Sequence, residues 1–352
     1  MTITLYWIVF IVIYCIVFIA DFYVTDHRNG TLSVNAALRW TGLWMAIALL
    51  FAASLYFFFP QNPESTEKTS TIMMVKFISG YFTEYSLSID NLFVFIMIFS
   101  LMGVSGKNQP RLLKLGIVIS IVLRILFIIA GMELVQQFHW IIYIFGVILV
   151  WTASKMAFMK DSDQVNPTSN FLYKGASKLF PIDPDKDSHH FIHKINGKWH
   201  ITSSLLVLLV IGSTDVLFAV DSIPAIIGVI KEGASNILTG EEESFLAITS
   251  NVFAVMGLVS LFFALKGIMG MFRFIKYGVS IILLFIGAKM LLCAIPVVEE
   301  FFASHSWLSL VVIISTLVFS ILFSVLIPEK ETATKKSKLF PNDNKNIEAN
   351  NK

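Results

Sequence analysis

Nine apolar stretches, most of them near or above the roughly 20 residues that a helix needs to cross a hydrocarbon layer about 30 Å thick, occupy most of this 352-residue chain. They fall at 3–20, 41–59, 72–102, 112–131, 138–158, 201–230, 245–265, 272–293 and 306–327. Only 14% of the residues are charged, where soluble domains usually carry about 25%, so a water-soluble globule is excluded. The expectation is an all-α polytopic membrane protein. The net charge of +2 then reports on loops and points to no nucleic-acid partner. Cys15 and Cys293 both lie in apolar runs, which argues against a disulfide framework or a thiolate metal site. The first run lacks a basic flank and a small-residue cleavage site, so it reads as a retained span and not as a signal peptide.

Lys and Arg collect on the cytoplasmic side of membrane helices. With nine spans, twenty of the twenty-six fall on one side: Arg28 and Arg39, Lys107 with Arg111 and Lys114, six between 159 and 200, Lys266 with Arg273 and Lys276, and six after 327. Lys68 and Lys231 fall on the other, and Lys76, Arg124, Lys155 and Lys289 lie within spans. This predicts an outside N-terminus and a cytoplasmic C-terminus. The segment 159–200 is read as a cytoplasmic loop and 328–352 as a disordered basic tail. His189, His190 and His193 in that loop form a candidate metal cluster, against the plainer reading of incidental loop histidines.

Charge inside the spans carries the functional signal. TEYSLSIDN (83–91) and TDVLFAVDS (214–222) share one pattern: an acid, five residues, Asp, then a small polar residue. An offset of 131 aligns Glu84 with Asp215, Asp90 with Asp221 and Asn91 with Ser222. WTASKM (151–156) recurs as FIGAKM (285–290), with the loops absorbing a slip of three. The chain therefore divides into two N-terminal spans (1–70), a three-helix unit (71–158), the loop (159–200), a second three-helix unit (201–293), a last span (294–327) and the tail (328–352). An odd number of crossings per unit inverts the second unit relative to the first, as in many secondary transporters whose site lies at mid-membrane.

Four ionised, unpaired acids at that depth would cost about 10 kcal/mol on insertion scales. A bound cation or a buried ion pair offsets this, and protonation avoids much of it. Residues 84, 88 and 91 share one helix face, whereas Asp90 points roughly 120° away from Glu84. Pro224, lacking the N–H that would bond the carbonyl of Val220, predicts a helix break beside Asp221. The candidate ligands are Glu84, Asp90, Asn91, Asp215, Asp221, Ser222 and Asn251, all hard oxygen donors that suit Mn²⁺, Mg²⁺ or Ca²⁺ better than Zn²⁺ or Cu⁺. The structural alternative pairs the acids with Arg124, Lys155 and Lys289.

At these residues the chain resembles the TerC family, the tellurium-resistance protein C and Alx-like integral membrane proteins. YFTEYSLSIDNLFVF (81–95), FHWIIYIFG (138–146), DVLFAVDSIPAI (215–226) and TSNVFAVMGL (249–258) carry the likeness, which extends from about Asp21 to Met290. The resemblance implies Mn²⁺ export across the cytoplasmic membrane with membrane acids as the ion pathway, and a link to tellurite resistance. It supports Glu84, Asp90, Asn91, Asp215, Asp221 and Asn251 as site residues. Family members usually have Lys where this chain has Tyr85, Glu where it has Gly212, and Arg where it has Val259. The last two positions are expected to face each other as a lost ion pair.

The expected function is a divalent-cation exporter, Mn²⁺ first, with the lipid bilayer as its setting, no permanently bound cofactor, and proton coupling as a candidate drive. Two other readings are a non-transporting membrane scaffold for metal or tellurite stress, and an intramembrane aspartyl hydrolase using Asp90 and Asp221. The hydrolase reading lacks the Gly-x-Gly-Asp signature of membrane aspartyl proteases. The partition of basic residues predicts that, in intact cells, a membrane-impermeant thiol reagent labels a cysteine at Glu64 and spares one at Asn170; the reverse pattern overturns the orientation.

Overall fold

A computed structural model of the chain describes residues 3–26, 33–60, 68–106, 108–158, 170–183, 190–195, 198–231, 237–267, 274–305 and 307–327. The expected tail (328–352) and His189 lie outside the described residues. Two helices lead in, α1 (Ile3–Asp26) and α2 (Val34–Phe58). The first unit follows as α3 (Thr69–Leu101), α4 (Gln109–Gln137) and α5 (Ile141–Phe158). A short helix α6 (Phe171–Leu179) and a hairpin of β1 (Ile192–Ile195) and β2 (Lys198–Ile201) come next. The second unit comprises α7 (Ser203–Lys231), α8 (Gly240–Val255), α9 (Leu258–Gly267) and α10 (Ile275–Leu292), and α11 (Pro296–Ser304) and α12 (Trp307–Leu326) close the chain.

Among the described residues, eight helices are long and apolar enough to cross a membrane, and α8 with α9 makes a ninth span bent by 42°. Eight of the nine expected spans are thus single helices and the expected span at 245–265 is met by the bent pair, but the interruption is not where Pro224 placed it. Pro224 lies inside an unbroken α7. A membrane helix tolerates an interior proline when its surroundings re-satisfy the freed backbone. The break falls instead at Met256 and Gly257. Gly257 has φ +79°, a left-handed conformation that costs glycine little, and a Cβ there would run into the Trp44 ring.

The two units are related by their contacts as well as by sequence. Gly80 of α3 lies so close to α8 that a Cβ on it would sit 2.6 Å from Ser250 Oγ, and a Cβ on Gly116 of α4 would sit 2.8 Å from Ile211 of α7. An offset of 131 carries Gly80 onto Ile211, and 134 carries Gly116 onto Ser250, so the second crossing is the first with its partners exchanged. The α5–α10 pair repeats the relation. Gly146 and Gly287 meet backbone to backbone, while Ser280 Oγ donates to Ala153 O at 2.6 Å. The offset of 134 exchanges those two contacts, which also run in opposite directions along the two helices. Small residues at each crossing let helices approach closely where lipid offers no hydrophobic drive for association.

α3 and α7 are antiparallel across the middle of the bundle, since Lys76 Nζ donates to Val229 O at 2.9 Å while Glu84 lies near Asp215. Outside them, α1 and α2 pack through an aromatic cluster of Tyr6, Phe10, Phe51, Phe77, Phe245 and Phe253. The segment read as a plain loop carries structure. Asn170 caps α6 by accepting from Leu172 N at 3.0 Å and docks it on α7 through Ser213 Oγ at 2.7 Å. The hairpin pairs Ile192 with Ile201 and Ile195 with Lys198, flanking an Asn-Gly dipeptide that is itself a two-residue hairpin signal.

The α5–α10 crossing leaves no room for side chains: a Cβ on Gly287 would lie 2.8 Å from Leu149 Cβ and 2.9 Å from Gly146 O. Gly287→Val should therefore cost about 1–3 kcal/mol in thermal unfolding of the purified protein. Gly42→Val, where a Cβ meets nothing within 4 Å, should leave the midpoint unchanged.

Candidate functional site

Helical periodicity puts Glu84, Ser88 and Asn91 of α3 on the face that meets α4 and α7. Ser88 Oγ donates to Glu84 Oε1 at 3.1 Å. From α4, the Arg124 guanidinium reaches into the same space. Its Nη1 forms an ion pair with Glu84 Oε1, off the alignment of a hydrogen bond, and its Nη2 donates to Asp215 Oδ1 on α7 at 3.3 Å. With the Asn91 amide assigned from this network, its oxygen accepts from Arg124 Nη2 at 3.1 Å and its nitrogen donates to Leu87 O at 3.3 Å. All three charged residues are at most 2% exposed. One cation thus serves two repeat-equivalent carboxylates at the seam between the halves.

The network is incompletely satisfied. Glu84 Oε2, Asp215 Oδ2, Arg124 Nε, Ser222 Oγ and both amide atoms of Asn251 are buried without a hydrogen-bond partner. Most buried polar atoms find partners, and each orphan costs about 1–3 kcal/mol. Three of the oxygens come from carboxylates or amides, the donor chemistry of a hard cation site. Asn251 lies four residues before the end of α8, close to the α8–α9 break.

The other two acids stand apart. Asp90 is half-buried on a different face of α3, as the helix period requires. Asp221 is half-buried too, and its Oδ1 accepts from Thr152 Oγ1 of α5 at 2.8 Å. Glu84, Asp90, Asp215 and Asp221 therefore do not converge on one point. Among the described residues no group of three His, Cys, Asp or Glu side chains is placed to hold a metal ion. Of the alternative partners for the acids, Arg124 takes that role for Glu84 and Asp215, and Lys155 lies near enough to Asp221 to act on it electrostatically. Lys289 Nζ donates to Ser309 Oγ at 2.5 Å above the Phe302 ring, and Lys155 lies over the Trp151 ring.

Gly212 and Val259 do not face each other. The atom nearest a Cβ on Gly212 is Ile119 Cγ2 at 3.8 Å, whereas Val259 shares a small void with Ile117 and Ile121. Ile119 points away from Ile117 and Ile121 on α4, so that helix stands between the two positions. Tyr85 is buried and stacks on Tyr81 with ring centroids 5.8 Å apart. In the hairpin, His193 Nδ1 lies 3.1 Å from Asp183 Oδ2, and the His190 and His193 rings are 6.4 Å apart.

An inverted repeat of membrane helices with paired acids at its seam defines a polytopic membrane protein of the two-halves class. The family model described as "Integral membrane protein TerC family" matches residues 69–332, and the chain belongs to that family. An uncharacterised membrane protein of Myxococcus xanthus, STKORF319, is 36% identical over 81% of this chain and 82% of its own length. The Alx proteins of Salmonella typhi and Escherichia coli strain K12, whose names propose a membrane-bound redox modulator, are 35% and 34% identical over 82% of this chain and 85% and 86% of theirs. No solved structure matches the chain.

Asn251 separates structural need from function. Asn251→Leu removes a buried amide without partners at nearly constant volume, so the protein in chelator should gain about 1 kcal/mol of stability. A lower melting temperature in chelator would show that the amide is satisfied and structural.

Proposed function

We propose that this chain is a carrier, not an enzyme, and that it moves a divalent cation, Mn²⁺ in first place, out of the cytoplasm. The N-terminus is outside and the C-terminus in the cytoplasm. The observation that supports the reading most is the seam itself. Glu84 and Asp215, equivalent in the two units, meet there fully buried, with an unsatisfied oxygen on each. A purely structural ion pair gains nothing from a second carboxylate left half-satisfied, since a partly paired buried network is worse than an apolar one. A hard divalent ion accepts such oxygens. The choice of Mn²⁺ over Ca²⁺ and Mg²⁺ rests on the family resemblance.

The repeat gives the site an approach on each side. Asp90 follows Glu84 by six residues and Asp221 follows Asp215 by six, so each lies about 9 Å along its helix from the central pair. Because α3 and α7 are antiparallel, the two displacements are opposite. In the proposed orientation Asp90 stands toward the cytoplasm and Asp221 toward the outside. Both are half-buried, so a cation can meet a carboxylate before full dehydration. Asp90 receives it, the central pair holds it, and Asp221 passes it on as the halves rock by alternating access. The redox wording in the names of the Alx relatives is no part of this route.

Cation uptake into inside-out vesicles, run across Mn²⁺, Ca²⁺ and Mg²⁺, is the direct measurement. Asp90→Asn and Asp221→Asn should each abolish uptake at near-normal protein abundance, and both variants should fail to lower intracellular Mn²⁺ in cells. Uptake at the wild-type rate in both variants would overturn the pathway and favour a non-transporting scaffold.

A further inference from the structure

An arginine at the centre of a cation site is an apparent contradiction. It repels the ion that the acids attract, yet here its guanidinium lies between Glu84 and Asp215 in ion-pair contact with both. The repeat sharpens the question. An offset of 134, which fits the second helix of each unit, aligns Arg124 with Leu258, so the second unit has no such arginine. One residue on one helix therefore pairs with an acid from each half. Resting on the cation-carrier reading, we propose that Arg124 is a tethered substitute for the transported cation. It occupies the carboxylate pair when no metal is there, is displaced when a divalent ion binds, and returns to close the emptied site.

Two observations carry this. The guanidinium is incompletely bonded: Nη2 contacts Asp215 and Asn91, Nη1 meets Glu84 as an ion pair without a hydrogen bond, and Nε is buried without a partner. Its hold is therefore weaker than a fully bonded fork. The carboxylate oxygens it leaves unused, Glu84 Oε2 and Asp215 Oδ2, are those a metal would take. A helical side chain leans toward the N-terminal turn, here toward Ile121 and Ile117. Those two residues, with Lys114, Val255, Met256 and Gly257, line a void of about 30 Å³ at the α8–α9 break, room for a water and not for a guanidinium, so displacement of Arg124 requires the helices to part there.

The consequence is a transport mode. A carrier whose emptied site bears two buried carboxylates must protonate them, load a counter-ion or pay their desolvation on the return step. An internal cation offsets one of the two charges, which lowers the barrier to reorienting the empty protein. Net export then needs no cation carried back, and metal binding is weakened by the competition.

The test reconstitutes the full chain in liposomes and measures two fluxes of labelled Mn²⁺, net uptake into metal-free vesicles and exchange into Mn²⁺-loaded ones, for wild type, Arg124→Gln and Arg124→Lys. Arg124→Gln should lose net uptake but keep exchange, and its half-saturating Mn²⁺ concentration should fall by about tenfold, within the usual range of site coupling. Arg124→Lys keeps a charge but presents a compact ammonium in place of the fork, so its half-saturation should fall in the same direction by less. Equal loss of net uptake and exchange in a folded Arg124→Gln variant, or an unchanged half-saturation, makes Arg124 structural and overturns this proposal alone. If Arg124→Gln does not accumulate, Arg124→Lys decides, and an unchanged or raised half-saturation overturns it. Absence of Mn²⁺, Ca²⁺ and Mg²⁺ flux in the wild type instead sinks the carrier reading on which the proposal rests.

Discussion

Two carboxylates and one guanidinium, all buried, set the terms for the rest of the bundle. Removing one partner of a buried ion pair costs about 3–5 kcal/mol, because the other charge is left without compensation. α3, α4 and α7, which supply Glu84, Arg124 and Asp215, are thereby fixed to one another at a single point. The close crossings around that point are built to match. Gly80 against Ser250 and Gly116 against Ile211 bring the backbones near enough for an arginine on α4 to span acids on two other helices.

The same crossings show how an inverted repeat is made physical. A contact between unlike residues, once the units are exchanged, must reappear with its members swapped. Glycine stands on α3 in one crossing and on α4 in the other, while Ser250 and Ile211 take the opposite places. At the α5–α10 pair, two glycines meet on one side and a serine meets an alanine carbonyl on the other. Symmetry is kept in helix placement and relaxed in side-chain identity. That freedom allows Arg124 to stand in one unit where the other has Leu258, the first residue of α9 after the break.

Much of this was legible from local periodicity. The nine spans, the shared face of Glu84, Ser88 and Asn91, and the divergence of Asp90 all follow from a rise and a turn per residue, which sequence displays directly. The union of Glu84 and Asp215 through Arg124 did not follow, because it joins residues 91 positions apart on different helices. Sequence could only name Arg124 as one candidate partner among three cations. Pro224 misled for a different reason. A missing N–H removes one hydrogen bond, and α7 continues through it among buried neighbours. The true break needed a residue that accepts a left-handed backbone, and Gly257 in VMGL offers it, a signal present but quieter than proline. The Asn-Gly at 196–197 was likewise readable as a hairpin, obscured by treating 159–200 as one polar segment.

Where the break falls matters for the central pair. The second helix of the first unit runs unbroken through Arg124 and places a positive side chain at the seam. Its counterpart in the second unit stops at Val255 and restarts at Leu258, so that region holds helix ends in place of a charged side chain. A restarted helix presents a fixed partial positive charge at its first turn, and the helix that stops presents a partial negative one. The two units thus answer the same problem, charge in a low-dielectric seam, by different means. One uses a side chain and the other uses backbone. An asymmetric solution of this kind gives the paired acids one shared partner, so any change in the position of Arg124 would alter the balance at both Glu84 and Asp215 together.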